Sequence, residues 1–408
     1  MMVKNLRLLP VSLLILISLK SYSQGKTIST AELNGQMNVV QSAVPFLTIA
    51  PDSRAGGMGD VGAATTPDIN SMHWNPSKYA FVENEAGVAV SYTPWLRNLV
   101  GDIDLATVAG YYRIDNQQVI AGSLVYFSLG EIEFRDINSA LLKQGKPNEF
   151  SFDLAYARKF GEKFSGSIAF RYIRSDLASG TISSGSEIKA GQAFAADISA
   201  YYTNKVKISD KSGKLSFGCD ISNIGTKMSY TDELKNKNFL PINLRLGSAL
   251  SLDLDSYNSM TFAADINKLL IPTPPIVLQK RDGTGDSTVN DKRVILGKEP
   301  DVPVVTGMFQ SFTDAPGGFK EEMQEINYSL GVEYWYRKQF ALRMGYFHEA
   351  QNKGNRKYFT FGCGLKLNVF GLDFSYLVPT AANNPLANTL RFTLTFDFDA
   401  FRKLKNKQ

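Results

Sequence analysis

Two histidines, two cysteines and a few paired acids are all that this chain offers to catalysis. His73 and His348 are the only imidazoles among 408 residues. His73 lies beside Trp74 in a small-residue segment and His348 near a strand end, so His73 reads as structural rather than catalytic. No HExxH, GxSxG or Walker pattern occurs, and no Cys/His cluster has metal-ligand spacing. Glu131 and Glu133 could pair as acid and base, but they fall in an expected loop with nothing to shift their pKa values. Asp282, Asp286, Asn290 and Asp291 carry oxygen ligands of the kind calcium takes. Their spacing lacks the calcium-loop repeat and its closing bidentate Glu, so the stretch reads as a solvated turn. Cys219 and Cys363 sit far apart, each within a strand pattern. They read as small apolar residues, not as a disulfide framework. No catalytic, metal or cofactor site is expected.

The elements that would position any site begin with an export signal. Lys4 and Arg7 precede an apolar run over 8–19, and Ser21-Tyr22-Ser23 supplies small residues for cleavage. Residues 1–23 are therefore expected to be a signal peptide, with a mature start at Gln24 and no lipoprotein cysteine after it. Beyond that point no apolar run reaches the roughly 18 residues of a spanning helix. Taking Lys4, Arg7 and Lys20 from 44 basic residues leaves 41 against 39 acids, a net charge near +2. That balance argues against nucleic acid as a partner.

From residue 85 onward the pattern has period two. Leu390, Phe392, Leu394, Phe396 and Phe398 alternate with Arg391, Thr393, Thr395, Asp397 and Asp399. In a membrane barrel the first set faces lipid and the second the lumen; the reverse would place charges in hydrocarbon, at roughly 2–4 kcal/mol for a basic residue at mid-depth. By the same alternation Cys219 and Cys363 fall on the lipid face. Strands are expected over 87–94, 104–114, 118–129, 150–160, 164–175, 193–203, 214–224, 242–252, 259–268, 326–337, 340–349, 358–369, 372–379 and 389–398. Short turns at 115–117, 161–163, 338–339 and 370–371 interleave with long connections, as in outer-membrane barrels with short periplasmic turns. Tyr92, Trp95, Tyr111, Tyr112, Tyr201, Tyr202, Tyr334, Trp335 and Tyr336 suit an interfacial girdle. Open strand edges are forbidden in lipid, so amphipathic strands without spanning helices imply closure. The expected fold is an all-β outer-membrane antiparallel barrel of about 14 strands, integral to the membrane and in contact with its lipid.

Two segments interrupt that regularity. Within the N-terminal stretch 24–84, residues 44–77 are thin and helix-breaking, with Gly56, Gly57, Gly59 and Gly62. Such a segment ahead of a hairpin run fits a plug inside the barrel, and a surface loop equally well by composition. Within the barrel span 85–399, the connection 269–325 is far longer than the others, which marks it as functional or disordered. Its end offers Asp314 as a helix cap, Pro316 early in a short helix, and Glu321, Glu322 and Glu325 along it. Met308, Phe309, Phe312, Phe319 and Met323 form an apolar set that suits a partner surface or a lid folded onto its own barrel. A basic tail, 400–408, follows.

The segment AVPFLTIAPDSRAGGMGDVGAATTPDINSMHWNPSKYAFV, 43–82, resembles the opening of the PorV family, outer-membrane shuttle proteins of the type IX secretion system. ISNIG at 221–225 and SFTDAPGGFKEE at 311–322 resemble further stretches of it. RAGGMG at 54–59 with Asn75-Pro76 is also similar to the wider FadL-like barrels. The resemblance implies a FadL-like barrel with a plug, in which Arg54, Gly56, Gly57, Gly59, Asp60 and Asn75 are candidate plug residues. It implies a large type IX translocon barrel as partner, C-terminal signal domains of secreted cargo as ligands, and a PorU-like sortase attachment complex as recipient. Phe309, Phe312, Asp314 and Phe319 are the candidate contacts. A FadL-like transporter of a hydrophobic small molecule is the second reading, and it requires an apolar pocket between plug and wall. A surface enzyme acting on lipid or polysaccharide is a third, and it requires a base that the sequence does not display.

Overall fold

The computed structural model of the protein describes residues 37–97, 100–135, 138–178, 182–183, 186–231, 237–279, 292–381 and 384–398. The signal-peptide span, the acidic turn with Asp282, Asp286, Asn290 and Asp291, Asp399 and the basic tail lie outside the described residues. All described residues belong to one compact unit, Gly35–Gln408.

Fourteen antiparallel strands close into a barrel in sequence order. They are β1 (Ala86–Pro94), β2 (Asp104–Arg113), β3 (Gln118–Ser128), β4 (Asn148–Lys159), β5 (Phe164–Asp176), β6 (Gly191–Ile208) and β7 (Lys211–Gly225). The second half is β8 (Asn243–Asp253), β9 (Asn258–Leu269), β10 (Asn327–Tyr336), β11 (Phe340–His348), β12 (Lys357–Lys366), β13 (Phe370–Pro379) and β14 (Leu390–Asp397). The first and last strands seal the wall, with Val88 opposite Phe396 and Ser91 opposite Thr393. No helix among the described residues is long and apolar enough to cross a membrane.

Period two does what the sequence requires of it. On β14 Phe392 and Phe396 are exposed outward while Arg391 and Thr393 are buried. On β5 Ile168 and Phe170 face out while Ser167 and Arg171 face in. Cys363 is exposed and Cys219 half-buried, both unpaired. Tyr92, Tyr112, Tyr202 and Tyr336 are exposed on the wall, whereas Tyr201 is buried and donates to Ser216 Oγ at 3.0 Å. Adjacent aromatics on one strand must part to opposite faces, so only alternate members can serve a girdle.

Three expectations need correction. β6 and β7 run on to a two-residue turn at Ser209-Asp210, with Ser209 at φ 52°. Lys205 and Lys207 still alternate with Val206 and Ile208 in that extension, so period two continues past the expected end while the backbone ladder runs on to the turn. Phe370 and Gly371 open β13 instead of forming a turn, pairing with Phe396 and Thr395. Glu133 of the expected loop lies in a short ribbon, Ile132–Arg135 against Leu141–Gly145, and pairs at the surface with Arg135.

Candidate functional site

The lumen is filled by residues 43–82, so the plug reading holds and the surface-loop reading does not. The segment is a chain of single turns: a 3₁₀ turn Pro45–Thr48, α1 (Ser53–Gly56), α2 (Ser71–Trp74) and a second 3₁₀ turn Pro76–Phe81. Asp52 caps α1 by accepting the Ala55 N–H at 2.9 Å, and its other oxygen accepts Trp74 Nε1 at 2.6 Å. Asn75 accepts the Ser77 N–H at 3.1 Å, then reaches outward to donate to the Ala200 carbonyl of β6 at 3.0 Å.

Charge fixes the plug to the wall. Arg54 donates to both carboxylate oxygens of Glu333 on β10, at 3.0 and 2.8 Å, and to Asp68 at 2.8 Å. Glu333 also accepts Arg343 Nε of β11 at 2.8 Å, and Arg343 reaches Asp373 of β13 at 2.5 Å. Asp265 of β9 accepts the N–H groups of Gly62 and Ala63 at 2.8 and 2.9 Å. Arg245 of β8 donates to the carbonyls of His73 and Trp74 at 2.9 and 3.1 Å, closing the end of α2. Buried charges are tolerated only with such partners. Asp60 accepts the Tyr358 hydroxyl at 2.5 Å and lies 3.8 Å from Arg391.

The candidate plug glycines work by close approach. Gly59 has φ +71°, and a Cβ there would lie 2.6 Å from Tyr346 N of the wall. A Cβ on Gly56 would meet Arg391 Cδ at 2.8 Å, and Gly57 lies against the Gly362 backbone. The wall answers in kind: a Cβ on Gly345 would lie 2.0 Å from the Met58 carbonyl carbon, and one on Gly218 would lie 2.0 Å from Ala63 O. Backbone therefore packs on backbone. Gly218 and Gly362 precede the outward Cys219 and Cys363 and so alternate onto the lumen face, but nothing local in sequence matches them to the plug.

At the long-loop end the structure gathers a second cluster. The connection after β9 carries α3 (Val304–Gln310) and α4 (Phe319–Gln324). Glu321, Glu322 and Glu325 turn inward. Lys268 meets Glu322 and Glu325 at 3.1 and 2.5 Å, and Lys353 meets Glu321 and Glu325 at 2.6 and 2.9 Å. Asp314 does not cap α4, whose N-cap is Gly318. It is only 1% exposed, and it accepts the Thr273 N–H at 3.2 Å. Burial pushes its carboxyl up to about 6, against the Thr273 N–H and with Glu322 and Glu325 adding to the rise. Phe309 is 74% exposed and Phe319 81%, and Val305 and Met323 are exposed too. Phe312, 46% exposed, has its ring centroid 5.8 Å from Lys268 Nζ. Asp314 thus ties the loop to Thr273, while the phenylalanines remain largely open to the outside. Lys268 and Lys353 escaped sequence reasoning because each is a lone lysine at a strand end or in a short loop.

Between plug and loop lies a cavity of about 260 Å³, lined by Arg171, Arg245, Lys353, Arg356, Glu325 and Glu349 among others. Residues 39–48 pass over it, and Asn38 and Ala43 tie that strand of chain to the outer connections through Asn352, Pro274 and Phe239. A second inner cavity, of about 20 Å³, lies beside Phe46 and Leu47. Val39, Val40, Leu47, Trp74, Leu269 and Phe347 line the larger cavity as well, so its lining is mixed.

A closed barrel with an apolar outer belt and an ion-paired plug is an integral β-barrel of the bacterial outer membrane. The family model of the type IX secretion system protein PorV matches residues 32–276. The chain belongs to that family, and so is an outer-membrane component of the type IX secretion system. No curated protein sequence matches the chain. Among solved structures it is similar to the CymD monoaromatic hydrocarbon channel (TM-score 0.48, 11% identity, 86% of this chain and 98% of that one). It is similar also to the Ralstonia pickettii toluene transporter TbuX (0.44, 11%, 85% and 96%) and a Pseudomonas aeruginosa FadL homologue (0.42, 11%, 89% and 100%).

Proposed function

We propose that this protein is a non-catalytic carrier. It takes up the C-terminal signal domain of cargo leaving the translocon barrel and passes it to a surface attachment complex with a PorU-like sortase. The observation that carries the reading is the divided long loop: its acidic side chains are anchored by Lys268 and Lys353, while Phe309, Phe312 and Phe319 stay exposed. Large apolar side chains fixed in the open are what a partner surface needs. Family membership supplies the secretion system as the setting.

The test is a mild-detergent pull-down from native outer membranes, comparing the parent with Phe309→Ala/Phe312→Ala/Phe319→Ala. The parent should retain exported proteins sharing a C-terminal domain, or a very large barrel. The triple variant should lose them while migrating as a folded barrel on unheated gels. Equal recovery by both would remove the aromatic ridge from the account. A parent that carries only a stoichiometric apolar small molecule would favour the transporter.

A further inference from the structure

The outer wall carries a recess of about 630 Å³ across β7–β12, on the lipid side. Its floor is made of the small outward residues Ser248 and Ala264, which stand opposite each other, with the backbone of Gly331 and Gly345 beside them. Phe262, Leu330, Met344 and Phe359 rise around it as exposed apolar rims. Ser248 and Tyr346 are the only lining side chains with a hydroxyl. The recess comes from side-chain size on the outward face: Ser248 and Ala264, paired across β8 and β9, are small where their outward neighbours Phe262, Leu330 and Met344 are large.

We propose that this recess binds one acyl chain of a bilayer lipid, lying over Ser248 and Ala264. Ser248 and Ala264 sit mid-strand in β8 and β9, with Leu330 and Met344 mid-strand in β10 and β11. At that depth headgroups and water do not reach, so hydrocarbon must fill the space. A flexible chain can drop below the level of Phe262 and Leu330.

The experiment reconstitutes the full chain in phosphatidylethanolamine vesicles doped with a phosphatidylcholine whose acyl chain bears a mid-chain diazirine. Adducts are mapped by peptide mass spectrometry. They should concentrate on Ala264, Leu330 and Met344 relative to Leu154 and Ile168, outward and exposed on β4 and β5. Ala264→Trp fills the floor and should cut adducts at Leu330 about tenfold, the effect of losing roughly 1.4 kcal/mol of contact. Adducts at Ile168 should hold steady; Ser248→Leu serves if the Trp variant fails to assemble. Uniform labelling around the belt would overturn the proposal. So would a photoprobe at position 264 that captures a second polypeptide in native outer membranes.

Discussion

The plug seat and the long loop are both held by buried ion pairs, yet they differ in what they leave exposed. Arg54, Glu333, Arg343 and Asp373 satisfy one another inside the wall, and the plug backbone lies on wall glycines. The loop is pinned on one side only. Lys268, Lys353 and Thr273 hold its carboxylates, and Phe309 and Phe319 gain nothing from that contact. A segment held to the wall by charge and backbone contact reads as structure, and one anchored on a single side reads as a display.

The sharpest way to break that contrast is at the plug. Gly345→Val drives a Cβ to 2.0 Å from the Met58 backbone, and overpacking of this kind costs roughly 3 kcal/mol or more. Urea unfolding in detergent should show it, together with new protease cuts in 43–82. Glu333→Ala leaves two buried guanidiniums short of a partner, at about 3 kcal/mol, and should be slightly milder because Asp68 and Asp373 remain.

At the loop the same logic predicts the opposite profile. Removing the three phenylalanines should leave barrel stability unchanged and weaken cargo capture by about 2 kcal/mol, in the range of interface hot spots. Lys353→Met should free α4 at a cost of roughly 1–2 kcal/mol, read as faster amide exchange over 319–325 with the plug unaffected.

The smallest effect concerns pH. With its folded pKa raised to about 6 from 3.8, Asp314 binds its proton more tightly in the docked loop. Docking should therefore strengthen as pH falls from about 6 towards 4, by about 1 kcal/mol after allowance for solvent screening. Asp314→Asn keeps the acceptor for Thr273, and should flatten that dependence and tighten the loop at pH 7.

Most of the barrel was legible because lipid enforces alternation at every strand. Arg391, Thr393 and Phe392 announce their faces without help from neighbours. The plug was legible as a glycine-rich interruption, and Gly59 and Asn75 lie where close approach demands them. What escaped were pairings across the lumen. Glu333 and Asp265 look like any inward acids, and nothing local says that they meet Arg54 or the N–H groups of Gly62 and Ala63. Asp314 was misread for a related reason: next to Pro316 it has the look of a helix cap, while its actual partner, Thr273, is 41 positions away.

The central claim is that the loop's aromatic face is where the secretion partner sits. The most direct test places a photo-crosslinking amino acid at position 309 or 319 in living cells exporting their normal cargo, with a matched probe at Phe170 on the lipid belt. The account predicts covalent capture of a cargo C-terminal domain or the translocon barrel at 309 and 319, and of neither at 170. Capture of neither at 309 and 319, in a strain that secretes normally, would contradict it.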